Sequence, residues 1–330
     1  MITLKIFEAI KKFPIPAMPI RVIIQEQPTY RKTMRSRYRP FHVFASLILA
    51  LAISSILGCV AHDSTKEGIS TVKSADGSSI AYGVRGEGDI TIVFIHGWTC
   101  NHGFWDPQIE HFSKNHRVVW LDLAGHGLSG SKRENYTVSA FGEDVAAVVN
   151  QTAKDNIILV GHSMGGPVAI EAADLLGEEV LGIVAVDIFV SPLGLSDSEQ
   201  KIQEIMKPFE GDFKTASENF VRPMFNPTAD PRVVEWIVEI MSGADKDMAV
   251  SALRETLRWL VWDSSSALKK YAEKLHNING THDTTPAGKK AASYDNVITI
   301  PDVNHFVPQV KPDAFNRALE TIISEYGKSQ

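Results

Sequence analysis

Cysteine is nearly absent from this 330-residue chain, which has two, Cys59 and Cys100. That excludes a scaffold stapled by several disulfides, and no Cys/His pairs stand at metal-ligand spacing, so no metal site is implied. No internal repeat or low-complexity tract is present, which excludes a solenoid or a disordered linker protein. No G-x-G-x-x-G run joins a strand directly to a helix, so no dinucleotide cofactor is expected. Positive charge is short where nucleic acid would need it. Beyond residue 58 there are 24 Lys/Arg against 37 Asp/Glu, a net of −13, which argues against a nucleic-acid partner.

The first 58 residues carry the opposite balance, 9 Lys/Arg against 2 Asp/Glu. Arg31, Lys32, Arg35, Arg37 and Arg39 precede an uncharged run from Phe41 to Leu57. A basic segment, an apolar segment and small residues before a cut site make a secretory signal. The run is short for a membrane-spanning helix, which needs about 20 apolar residues. Ile56-Leu57-Gly58-Cys59 resembles the bacterial lipobox, whose cysteine becomes the lipidated first residue. The expectation is therefore a lipoprotein of the bacterial cell envelope, held to the membrane through Cys59 and facing the periplasm or the exterior. An uncleaved anchor is the alternative. Met34 opens a second plausible start, Met-Arg-Ser-Arg-Tyr-Arg-Pro. Residues 59–68 read as a polar tether.

The stretch on which the rest depends is Ile157-Ile158-Leu159-Val160-Gly161-His162-Ser163-Met164-Gly165-Gly166. Four apolar, β-branched-rich residues predict a buried strand, and Pro167 to Leu176 predicts a helix. Between them lies G-x-S-x-G. A strand that turns into a helix through one residue strains that residue, and a Cβ at either flanking position would collide with its surroundings. The turn pushes the Ser163 hydroxyl out at the carboxyl edge of a sheet. A serine hydroxyl is a weak nucleophile unaided, so a base and an acid must come from elsewhere.

Further runs fit the same plan. Ile69–Lys73 and Ile80–Val84 flank an Asp-Gly turn and predict a hairpin. Ile90–Ile95, Arg117–Leu121, Val180–Val186, Leu275–Asn279 and Val297–Ile300 read as strands. Phe104–Phe112, Thr137–Ala153 and Pro312–Tyr326 read as helices. From Ser191 to about Ala267 the pattern turns helical (Ser196–Lys207, Phe213–Val221, Pro231–Met241, Lys246–Leu260) and rich in Phe, Met and Trp.

After the strand at Ile90–Ile95 comes His96-Gly97-Trp98, and after Arg117–Leu121 comes Asp122-Leu123-Ala124-Gly125-His126-Gly127-Leu128-Ser129. With the serine turn, these resemble the α/β-hydrolase superfamily over roughly Ile69 to Tyr326. The resemblance implies a mostly parallel sheet flanked by helices. The core would comprise residues 69–190 and 268–330, with a helical cap at 191–267 inserted between strands. It further implies an oxyanion hole from the backbone N–H groups of Trp98 and Met164. Asp122 would tie its loop, with His96 and His126 structural. The Asn304-His305-Phe306 segment matches the family's base, so His305 takes that role. Gly280-Thr281-His282-Asp283-Thr284-Thr285-Pro286 resembles the acid loop, with its proline one position early. Asp283 is the expected acid, Asp187 at the end of an earlier strand is the runner-up, and Asp263 stands too far back.

The implied function is a serine hydrolase without cofactor or metal, acting on a carboxylic ester or related acyl compound through Ser163, His305 and Asp283. Acyl transfer, carbon–carbon cleavage, or ligand sensing on the same fold remain alternatives. Serine at the turn excludes the aspartate-dependent dehalogenases and epoxide hydrolases of the superfamily.

Overall fold

A computed structural model describes residues 68–130, 133–152, 155–189, 199–281 and 296–327. The expected signal segment, Cys59 and all of the expected tether but Gly68 lie outside these residues, as does Asp283. Among the described residues, no helix is long and apolar enough to cross a membrane.

Among the described residues, eight strands form one sheet: β1 (Ser70–Lys73), β2 (Ser79–Arg85), β3 (Thr91–Ile95), β4 (Arg117–Leu121), β5 (Ile157–His162), β6 (Val180–Val186), β7 (Leu275–Gly280) and β8 (Val297–Ile300). Their spatial order is β1-β2-β4-β3-β5-β6-β7-β8. β2 runs antiparallel to both of its neighbours, and from β4 to β8 every pairing is parallel. β3 and β5 are buried along their whole length, as their unbroken apolar runs require of strands covered on both faces.

The helices between strands are α1 (Asp106–Phe112), α2 (Val138–Thr152) and α3 (Gly165–Leu176). α1 begins later than the sequence reading placed it. Pro107 lacks the N–H that would continue the preceding 3-10 turn, His102–Trp105, as an α-helix. Between β6 and β7 the chain forms the helical cap: α4 (Glu199–Met206), α5 (Phe213–Val221), α6 (Pro231–Ser242), α7 (Lys246–Trp262) and α8 (Ser264–Lys270). The starts of α5, α6 and α7 are set by Asp212, Asp230 and Asp245. Each accepts a backbone N–H of the first turn, a cap worth about 1 kcal/mol over alanine. α9 (Val307–Val310) and α10 (Pro312–Gly327) close the chain.

Parallel strands end at one edge of the sheet, and the turns that follow them carry the residues of interest. His96 follows β3, Ser163 follows β5, Asp187 follows β6, and His305 lies in the loop after β8. Crevices at such carboxyl edges are where open α/β sheets bind ligands.

Candidate active site

Ser163 has φ +53°, a left-handed conformation that costs a side-chain-bearing residue energy unless its surroundings impose it. Here they do. The Ser163 N–H donates to Val186 O at 2.9 Å, and Ser163 O accepts the Gly166 N–H at 2.9 Å. A Cβ on Gly161 would run into the Gly165 carbonyl, and one on Gly165 would lie 2.5 Å from Ile95 O. Both flanking glycines are therefore forced by backbone approach, as the sequence reading expected.

His305 and Ser163 line the same cavity of about 150 Å³. The His305 Nδ1–H donates to Asp187 Oδ2 at 2.7 Å. Asp187 Oδ1 accepts the Gly280 N–H at 2.8 Å, and its side chain is 1% exposed. Asp187 also has positive φ, +52°, which turns its side chain along the strand ends toward β7. Among the described residues, the carboxylate that meets His305 is thus Asp187, the runner-up; Asp283, the expected acid, lies outside them. Asp263 lies at the junction of α7 and α8.

Two features of this geometry were not read from sequence. His162 Nε2–H donates to His305 O at 2.9 Å, so the residue beside Ser163 also fixes the backbone of His305. Burial pushes the His162 pKa down to about 3, with the neighbouring His305 adding to it, so His162 stays neutral. Trp98 reaches out of the loop after β3 into the cap. Its Nε1–H donates to Ala249 O in α7 at 2.7 Å, and its indole meets Phe209, Phe213 and Phe220 edge-on, with centroids 5.7 to 6.3 Å away.

The backbone N–H groups of Trp98 and Met164 have no acceptor among the described residues, and both residues line the cavity. The loop that carries Trp98 is tied from the core side as well. Thr99 (φ +54°) donates its N–H to His126 Nε2 at 3.3 Å, while the His126 Nδ1–H donates to Ala124 O. His96 accepts the Leu123 N–H at Nε2 and donates from Nδ1 to Gly97 O. Both rings are neutral and structural, and burial holds both pKa values down, that of His126 to about 3. Asp122 accepts N–H groups from His102 and Leu128, and a Cβ on Gly127 would run into its carboxylate.

The cap supplies Phe220, Met224, Met241, Leu253, Leu257 and Leu260 to the cavity. Among the described residues no Arg, Lys, Asp or Glu lines it. Cys100 is buried there as a free thiol, with its pKa pushed far up by burial. Among the described residues no group of three or more His, Cys, Asp or Glu side chains could hold a metal ion.

A strand-to-helix serine, an imidazole bonded to a buried carboxylate, and two amides without an acceptor among the described residues are the groups that a hydrolase site on an α/β fold would use. The chain belongs to the alpha/beta hydrolase family, whose model matches residues 92–318. It is similar to a 2-(acetamidomethylene)succinate hydrolase of Mesorhizobium japonicum, 24% identical over 72% of this chain and 89% of that one. It is also similar to a bifunctional esterase/perhydrolase of Acinetobacter calcoaceticus, 28% identical over 76% and 98%. Among solved structures, an esterase from Thermogutta terrifontis superposes with a TM-score of 0.65 at 20% identity, covering 78% of this chain and 99% of that one.

Proposed function

We propose that this protein is a serine hydrolase that cleaves uncharged carboxylic esters through an acyl-enzyme on Ser163. The observation that carries the reading is the hydrogen bond from His305 to buried Asp187, made by a ring that shares a cavity with Ser163. With its proton held on Nδ1, the ring keeps Nε2 as a base. Ser163 Oγ attacks the ester carbonyl carbon while its proton passes to Nε2. The carbonyl π pair moves onto oxygen, where the Trp98 and Met164 N–H groups hold it. Collapse re-forms the carbonyl and breaks the C–O bond, and Nε2 returns the proton to the leaving alkoxide. Water then repeats the sequence on the acyl-enzyme and releases the acid. One such oxyanion donor is worth about 3 kcal/mol of barrier.

Wall chemistry supports the substrate class. The Mesorhizobium relative acts on a dicarboxylate, and a buried carboxylate without a partner costs several kcal/mol. The described walls here offer it no cation. The test is a panel of p-nitrophenyl esters of rising acyl length, with a fluorophosphonate to report on Ser163. Hydrolysis of the short neutral members and labelling at Ser163 are expected. Ser163→Ala should abolish both while leaving the thermal transition in place, and undiminished turnover in that variant would refute the reading.

For location, the reading is a lipoprotein of the bacterial envelope, supported by the basic and apolar segments before Cys59. Cys59→Ser should move the protein out of the membrane fraction; unchanged partitioning would favour an uncleaved anchor.

A further inference from the structure

One residue joins the two halves of the site. Trp98 lines the cavity that holds Ser163 and its backbone N–H has no acceptor among the described residues, while its side chain packs in the cap. The indole Nε1–H is bonded to Ala249 O in the first turn of α7. Three phenyl rings from the cap surround the indole: Phe209 of the 3-10 turn Lys207–Glu210, and Phe213 and Phe220 of α5. Trp98 is 5% exposed. The first turn of α7 is itself pinned, because Asp245 accepts the Met248 N–H at 2.8 Å and Lys246 Nζ donates to the Glu210 and Gly211 carbonyls. On the core side, the next residue, Thr99, is held at φ +54° by its N–H bond to His126.

A cap that only roofed a pocket would need apolar contact alone. Here it holds, by a directed hydrogen bond, the side chain of a residue that lines the Ser163 cavity and whose main-chain N–H has no acceptor among the described residues. A displacement of about 1 Å in a reacting group is enough to lose orders of magnitude in rate. We propose that Trp98 is a positioning residue that couples the seating of the cap to the assembly of the oxyanion hole: with Nε1 bonded to Ala249, its N–H is aimed at the developing oxyanion. This rests on the hydrolase reading above and adds to it a mechanical link between substrate enclosure and chemistry.

The test is Trp98→Phe, which keeps an aromatic ring and the backbone N–H and removes the indole donor. Sites are counted by end-point fluorophosphonate labelling, so that unfolded protein does not enter the rate. Per labelled site, kcat on p-nitrophenyl butyrate should fall at least tenfold with KM changed less than threefold. An aryl trifluoromethyl ketone reports on the hole directly. Its adduct forms a bond from Ser163 Oγ to the carbonyl carbon, passes the serine proton to His305 and leaves the oxyanion in the hole. Its inhibition constant should weaken in step with kcat/KM. Phe209→Leu, which loosens the cap side at a residue that does not line the cavity, should show the same signature in milder form and keeps the test open if Trp98→Phe folds poorly. A lowered Tm with kcat per site and inhibitor affinity both within twofold of wild type would overturn the proposal and leave Trp98 a packing residue. Wild-type protein that neither hydrolyses esters nor labels at Ser163 would instead defeat the hydrolase reading, and the coupling would fall with it.

Discussion

Replacing Asp187 with asparagine separates the two candidate acids. The Asp187 carboxylate accepts from the His305 ring at 2.7 Å and from the Gly280 N–H at 2.8 Å. Asparagine fits the same space but has one oxygen and one NH2 group for these two donors. If the oxygen stays on His305, the NH2 faces the Gly280 N–H, and a buried backbone donor is left unpaired at about 1–3 kcal/mol. If the NH2 turns to His305, the ring must accept at Nδ1 and carry its proton on Nε2, which costs the protein little. The second arrangement wins, and Nε2 then cannot take the Ser163 proton. A base held in the wrong tautomer loses on the order of 10³–10⁴ in kcat, equivalent to about 4–5.5 kcal/mol of barrier at 1.36 kcal/mol per tenfold. The assay is turnover of p-nitrophenyl butyrate per fluorophosphonate-labelled site, with Asp283→Asn measured alongside and expected within threefold of wild type. Asp187→Asn retaining more than a tenth of wild-type kcat, or Asp283→Asn losing orders of magnitude, would refute the assignment.

The uncharged walls predict that p-nitrophenyl hemisuccinate, matched in length to the butyrate ester, is turned over at least 100-fold less efficiently, since a few kcal/mol of unpaired carboxylate is at stake. Equal kcat/KM values would show a cation that the described walls lack. The buried histidines predict an acid limb of stability. Burial holds His126 and His162 at about 3, whereas an unfolded histidine titrates near 6.5. Between those values the unfolded chain binds protons the folded chain refuses. Their stabilising effect is therefore complete above pH 6.5 and is lost as pH falls toward 3. By linkage this approaches about 1.4 kcal/mol per pH unit for each ring, or about 2 kcal/mol each at pH 5. Urea midpoints at pH 7.5 and pH 5 test it, and coincident midpoints would show that neither ring is buried neutral.

How much was legible in advance depended on whether the signal was local. β4, β6 and β8 carry the bounds that the apolar runs predict, and α5 does so from Phe213 to Val221 because Asp212 caps it. Gly161, Ser163 and Gly165 were readable because the strand, the turn and the helix that need them are contiguous in sequence, although Ile95 and Val186 also press on the turn in the fold. α4 is described from Glu199, and its expected start at Ser196 lies outside the described residues. The acid was a different kind of question. Asp187 and Asp283 both follow a strand of the same sheet, β6 and β7, and either could supply a carboxylate at its carboxyl edge.

What brings Asp187 to His305 is three-dimensional. The Asp187 N–H donates to Ile278 O at 3.0 Å and its side chain accepts from Gly280, so the turn after β6 is laced onto the strand beside it. That lacing sets the positive φ and aims the carboxylate at the loop after β8. No pattern in residues 180–190 alone encodes it, because the partner atoms are main-chain groups about 90 residues away. The same holds for His162 and Trp98, whose hydrogen bonds end on backbone carbonyls 143 and 151 residues distant. A carbonyl acceptor belongs to every residue type, so neither bond leaves a mark at its far end. Motifs therefore name the groups that do chemistry, while the groups that aim them are set by main-chain atoms that only the folded chain brings near. Substitutions at Asp187, His162 and Trp98 should accordingly damage rate more than substrate affinity.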